Sequence, residues 1–334
     1  MNPHSSAQTL ITGVYRTGSE YLAQLIGCHP KVAVGMYSVN VLRFIDGHYD
    51  PISVRKNYIN ALTDTAARVR ERYGLVVDIP SITNELDSLE SVDYGSFYDV
   101  LMCHLYMKQP ATQWAEKNQL LWREIPRFLE MMPNGRAILI LRDPRSVLVS
   151  FRHYTYAASP AYLGAVFNCF DAMVHAKLYQ LEMPERVLVV RYEDAARNPQ
   201  KISERCWQFL ELDGPYDVAA NREWTDAYGR PWHANSSFDD GSKLQPFDVA
   251  DSLERWRDRI SKAELSLTEG VCGDLMEEFG YQRTDPQLID WLQAMRLMID
   301  SPKILSYFRR WLMDGEGIEA FPTDPLKRKN WRND

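Results

Sequence analysis

Residues 9–28 read TLITGVYRTGSEYLAQLIGC, and the way this stretch folds decides the rest. Leu10 to Val14 is a short apolar run bounded by small and polar residues, the pattern of a buried strand. Tyr15-Arg16-Thr17-Gly18-Ser19-Glu20 follows, dense in backbone donors and hydroxyls, with one cation. Tyr21, Leu22, Leu25 and Ile26 then recur at helical spacing, and Gly27 is a helix stop. Strand, tight loop and helix in that order aim loop amides and a helix N-terminus at an anion. Taken alone, the stretch fits an ordinary strand-turn-helix with a surface arginine equally well.

The loop resembles a P-loop with one change. Gly13 and Gly18 keep the GxxxxG spacing, but Ser19-Glu20 stands where a Walker A motif has Lys followed by Ser or Thr. A carboxylate replaces the hydroxyl that would hold Mg²⁺, and the cation moves to Arg16. Such a cradle suits a phosphate whose nucleotide is held without a metal. Two alternatives stand beside this reading: a nucleotide kinase or NTPase on the same strand-loop-helix, and a non-catalytic nucleotide-binding protein.

The chain has 334 residues, which predicts one large domain or one domain with additions. No apolar run is long enough to cross a bilayer, and MNPHSSAQTL lacks a basic-then-apolar signal. The expectation is a soluble cytoplasmic protein without a membrane partner. Five scattered cysteines without a CxxC argue against a disulfide framework or a Cys-rich zinc site. A net charge of −7 disfavours nucleic acid as the main partner.

Lys31 to Val34 is a candidate second strand. Met36 to Asp50, carrying Asp46 and His48, reads as a loop and short helix. Residues 53–73 look helical, 74–96 read as a polar surface segment, and 97–108 return to helical spacing. Gln119 to Trp122 reads as a short strand and Ile125 to Met132 as a helix ended by Pro133-Asn134-Gly135. Ala137 to Leu141 is an unbroken apolar run, hence a central parallel strand. Asp143-Pro144 then supplies an N-cap and a first helical proline. A second strand thus ends on a cation, Arg142, beside a helix start. Two such strand ends in one sheet hold two separated phosphates.

GVYRTGSEYLAQLIGCHP together with ILILRDPRSVLVSFRHY resembles the sulfotransferases that use 3′-phosphoadenosine 5′-phosphosulfate (PAPS). Two further matching pieces are VLVVRYEDAARNPQKISERCWQFLEL, Val187 to Leu212, and ANSSFDDG followed by a stretch ending at Tyr281. The likeness spans roughly residues 9–282. It implies a three-layer α/β fold with a central parallel sheet and PAPS at the carboxyl ends of the strands. It implies that Arg16, Thr17, Gly18, Ser19, Glu20 and Tyr21 grip the 5′-phosphosulfate, and that Arg142 and Ser150 hold the 3′-phosphate. Tyr192 joins the cofactor set. The family's Arg-Lys-Gly element is missing, and Ser237, Lys243 or Arg255 stands in its place.

Sulfuryl transfer also needs a base for the acceptor proton. Cytosolic members carry a His two residues before a Pro at the place of Glu124, within Trp122-Arg123-Glu124-Ile125-Pro126. Other members use Glu, so Glu124 is the candidate base, with Arg16 assisting the leaving phosphate. Its bland alternative is pairing with Arg123 or Arg127 at a helix end. His48 is the main rival, followed by Asp46 and His153. Three departures stand out: Tyr15 where the family usually has Pro, Arg16 where it often has Lys, and Glu20 where Thr or Ser is frequent. Glu20 has no explanation from the sequence.

Residues 1–282 form the expected sulfotransferase domain. Ser261 with Glu264 makes a capping box. Residues 286–313 carry two amphipathic helical patterns. A helical extension, 283–334, therefore packs on the same domain or on a second subunit of a homodimer. The expected activity is sulfation of a hydroxyl or amine on a small-molecule acceptor, with adenosine 3′,5′-bisphosphate (PAP) as product and no metal. The acidic balance weighs against a Golgi-type glycan enzyme.

Overall fold

The computed structural model describes residues 7–36, 39–107, 110–152, 159–214, 216–218, 249–284 and 289–321. Strand β1, Gln8–Gly13, is buried along its whole length. A strand with both faces buried needs neighbours on each edge and helices on each side. It receives both. Strands β2 (Val32–Met36), β3 (Gln113–Lys117), β4 (Arg136–Leu141) and β5 (Val187–Arg191) join it in the order β2-β3-β1-β4-β5. Every pairing is parallel, with Ile11 opposite Lys117 on one side and Gly13 opposite Ile140 on the other. The chain places β2 and β3 on one side of β1, and β4 and β5 on the other. The carboxyl end of β1 is therefore the topological switch point, where open α/β sheets bind their ligands.

Successive residues of the strands face opposite layers. Leu10 and Leu139 enter one apolar cluster; Ile11, Ile138 and Ile140 enter the other. The helices are α1 (Ser19–Gly27), α2 (Val41–Phe44), α3 (Arg55–Tyr73), α4 (Ile79–Asp87), α5 (Tyr94–Tyr106), α6 (Ile125–Met131), α7 (Pro144–Arg152) and α8 (Gly164–Glu182). Then come α9 (Tyr192–Arg197), α10 (Pro199–Phe209), α11 (Val249–Glu254), α12 (Trp256–Arg259), α13 (Lys262–Glu278), α14 (Trp291–Met298) and α15 (Pro302–Asp314). Side chains of α1, α9 and α10 cover the Ile11 face, and those of α5, α6, α7, α8 and α13 cover the Leu10 face. This is the three-layer α/β fold, with a helical C-terminal region. No described helix is long and apolar enough to cross a membrane.

Two expectations need correction. Gln119 to Trp122 is not a strand; the strand is β3, which ends two residues before Gln119 and is unremarkable in hydropathy. Its Glu116 and Lys117 are fully buried charges, which hid it. Glu116 is stabilised by the Val39 and Asn40 amides, at 2.8 and 2.9 Å, and by the Tyr98 hydroxyl. After β3 the chain still runs beside β1, with Asn118 N donating to Ile11 O and Leu120 N to Gly13 O. Leu120, at φ 55°, ends that course. The polar stretch 74–96 holds α4, capped by Asp78, and the start of α5, capped by an Asp93–Ser96 box. Short polar caps look like loop in a sequence.

The Ser261–Glu264 box opens α13. Helix α14 packs on α13, and α15 on α8. After α15 the chain returns toward the sheet. Asn168 on α8 fastens it, donating Nδ2 to Ala320 O at 3.1 Å and accepting Ala320 N at 2.9 Å.

Candidate active site

Arg16 and Gly18 both take left-handed backbone, at φ 70° and 84°. Alternating hand turns successive amides inward, the concavity that binds anions. Gly18 is required twice over. A Cβ there would meet Tyr192 Cδ2 at 2.3 Å. As the N-cap of α1 it also offers no side-chain cap, which leaves the helix start open. Thr17 is buried and turned inward, its hydroxyl donating to Val14 O at 2.7 Å. It braces the loop. Tyr21 is also buried, edge-on to Tyr192 with ring centres 6.3 Å apart.

The second cationic strand end meets the first. Arg142 is 6% exposed and donates Nη1 to Arg16 O at 2.9 Å. Its Nη2 reaches Ser252 O at 2.5 Å, and its Cζ lies 4.3 Å from the Tyr192 ring centre. Its Nε is buried without a hydrogen-bond partner among the described residues. Arg16 in turn donates Nε to Ser150 Oγ at 3.0 Å. Arg16, Gly18, Arg142, Ser150 and Tyr192 are thus brought together. Behind them Glu193 accepts Asp143 N at 3.0 Å and the Tyr281 hydroxyl at 2.9 Å, fixing the turn after Arg142. Burial pushes the Glu193 carboxyl up.

Lys117 is a site residue that sequence reasoning missed. It ends β3, fully buried, with Nζ 3.6 Å from Glu20 Oε1. That is an ion pair longer than a hydrogen bond. Burial lowers its ammonium to about 7, against the pull of Glu20. Glu20 thereby gains an explanation: it is the counter-charge of a lysine under the loop. A Lys at the end of a strand adjacent to β1 was the available signal, and the mislocated strand concealed it.

Glu124 precedes α6, half-buried. Its bland alternative is absent. Arg123 is bound bidentately by Asp171 at 2.7 Å, and Arg127 by Asp46 and Glu130. The Glu124 carboxylate makes no hydrogen bond or ion pair with a described residue. Its electrostatic neighbours are Arg43, Tyr179 and Glu319. Arg43 donates to the carbonyls of Gln119 and Leu120 at 2.9 and 2.7 Å, and burial lowers its guanidinium to about 10.

Of the other candidate bases, Asp46 and His48 are among the described residues. Arg127, which holds Asp46, lines an open cleft of about 840 Å³ beside Gln8 at the amino end of β1. His48 is exposed on the same loop, Nδ1 donating to Asp46 O at 2.8 Å. Arg255 is half-buried before α12. His153, Ser237 and Lys243 lie outside the described residues. Among the described residues no group of His, Cys, Asp and Glu is arranged to hold a metal.

The switch-point cradle thus joins two cationic residues, Arg16 and Arg142, through one hydrogen bond. The sequence profile of the Sulfotransferase family matches residues 9–217, and the chain belongs to that family. Carbohydrate sulfotransferase 1 of Mus musculus is 25% identical over 177 residues, 46% of this chain and 40% of the relative. The chain thus spans about two fifths of the length of the curated relatives it matches. The sulfotransferase domain of the Synechococcus PCC 7002 olefin synthase superposes with a TM-score of 0.52 at 20% identity, covering 83% of this chain and 95% of that one. The sulfotransferase domain from the curacin biosynthetic pathway gives 0.52 at 16%, covering 82% and 97%. These two likenesses are of fold.

Proposed function

We propose that this chain moves a sulfuryl group from PAPS to a hydroxyl or amine of a small-molecule acceptor, releasing PAP. One observation carries the reading: Arg142 grips the Arg16 carbonyl at 2.9 Å, so two cationic strand ends form one unit at the switch point. The residues fit a nucleotide phosphorylated on both sides of its ribose. Gly18 lets the Tyr192 ring close against the loop where a Cβ would clash, and the buried Arg142 Nε has no hydrogen-bond partner among the described residues.

Each residue then has a task. The bond from sulfur to the phosphate oxygen breaks as the bond to the acceptor oxygen or nitrogen forms. Arg16 and the open start of α1 meet the charge growing on the leaving phosphate. Lys117 adds a second cation, held in reserve by Glu20. Arg142 and Ser150 fix the 3′-phosphate, which orients the donor. Glu124 accepts the acceptor's proton. Its freedom from Arg123 and Arg127 is what makes it available.

Incubation with PAPS and a panel of small hydroxyl and amine acceptors tests this. Release of PAP with a gain of about 80 Da in one acceptor, the mass of SO₃, is the expected result. Heat protection by Mg·ATP with none from PAP would overturn it and favour a kinase or NTPase.

A further inference from the structure

Beyond the family match at residues 9–217, the chain ends its described course against the candidate site. Residues 317–321 run between α8 and the turn after Trp122. Arg123 holds this segment from one side, donating Nη2 to Gly317 O at 3.2 Å and its amide to Glu319 Oε2 at 3.0 Å. Asn168 holds it from the other. The fastening sets two side chains in place, Phe321 against the loop and Glu319 beside Glu124.

The first is Phe321. Its ring lies edge-on to Tyr15 with centres 6.0 Å apart, and Tyr15 stacks on Phe151 at 5.9 Å. The Arg43 guanidinium lies over the Phe321 ring at 3.9 Å. Tyr15 is the residue before Arg16, Phe151 the one after Ser150, and Arg43 fastens the carbonyls after β3. Three aromatic rings from three distant segments thus gather beside the cationic cradle. Phe151 and Phe321 also line a narrow cleft with Ile318.

The second is Glu319. Its carboxyl is half-buried among Arg43, Arg123, Glu124, Asp171 and Tyr179. One oxygen is held by the Arg123 amide.

We propose that Phe321 and Glu319 form the acceptor wall of the site: the ring stacks on a flat apolar body, and the carboxylate orients its O–H or N–H donor toward Glu124. Both are positioning residues. The acceptor class is then a ring-bodied alcohol, phenol or amine, selected by a segment outside the family core. The inference rests on the PAPS reading above.

Calorimetric titration of the full chain with PAP, then with 2-naphthol on the PAP-saturated protein, tests it. Wild type binds both. Phe321→Ala weakens 2-naphthol about tenfold and leaves PAP affinity within about twofold; Phe321→Trp restores it. Burial and the facing carboxylates raise Glu319 to about 7. An ionised Glu319 accepts the naphthol O–H, so wild-type affinity rises through about pH 7, and Glu319→Gln flattens that rise. Failure of wild type to bind PAP sinks the donor reading itself. PAP binding with no 2-naphthol binding, or 2-naphthol binding unchanged in both variants, overturns only the acceptor wall. Loss of PAP affinity in Phe321→Ala overturns it too, since the ring then supports the fold of the cradle.

Discussion

Lys117 Nζ sits 3.6 Å from Glu20 Oε1, under the first turn of the helix that follows the loop. Burial brings this lysine to about 7 in the folded chain, below the 10.5 of a free side chain. The folded state therefore releases a proton, and stability from this group grows as pH climbs from about 7 toward 10.5. A phosphate arriving above reverses the balance and favours the ammonium. Near pH 8, PAP binding should take up a fraction of a proton. Titration in two buffers of different ionisation heat reads that uptake. Lys117→Met should abolish it and weaken PAP roughly tenfold or more; identical heats for wild type in both buffers would exclude the coupling.

Gly18→Ala should cost stability and PAP affinity together. The substitution puts a methyl 2.3 Å from Tyr192 Cδ2 at a φ of +84°. Backbone strain and the clash amount to about 1–3 kcal/mol. Urea unfolding and PAP titration measure the two losses. A variant as stable and as tight as wild type would mean the loop tolerates a side chain.

Glu124→Gln keeps the shape of the side chain and removes the proton acceptor. PAP affinity should stay within about twofold while turnover falls roughly 10²-fold or more. Stopped turnover with weakened PAP binding would instead assign Glu124 to the cradle, and full turnover would remove it from the chemistry.

Legibility in the sequence followed periodicity. The Leu10–Val14 and Ala137–Leu141 runs are visible because both faces of those strands are apolar, with Arg142 directly after the second and Arg16 one residue beyond the first. Strand β3 was not visible, because Glu116 and Lys117 are buried charges satisfied by partners distant in sequence. The pairing of Glu20 was lost with it. Glu319 and Phe321 had no signal either: their position depends on how α8 and Arg123 fasten the returning chain. Glu124 was legible from its place before Pro126, though not the capture of Arg123 by Asp171 that leaves it available.

Glu319 also predicts a pH dependence of stability. Its folded value of about 7 exceeds the ordinary 4.5, so the stability it adds is present below about 4.5 and lost as pH rises through about 7. Glu319→Gln removes that loss. Between about pH 5 and 8 the variant should gain roughly 1–3 kcal/mol on wild type, read by urea unfolding at each pH. Parallel stability curves would place Glu319 in solvent-like surroundings.

The joined cradle of Arg16 and Arg142 is tested most directly by calorimetric comparison of PAP with adenosine 5′-monophosphate, on wild type and Arg142→Ala. Wild type should bind PAP at least tenfold tighter than the monophosphate, and Arg142→Ala should lose about 2–5 kcal/mol of PAP affinity and most of that preference. Equal affinity for the two nucleotides in wild type, or a preference that survives Arg142→Ala, would contradict a site built for two phosphates.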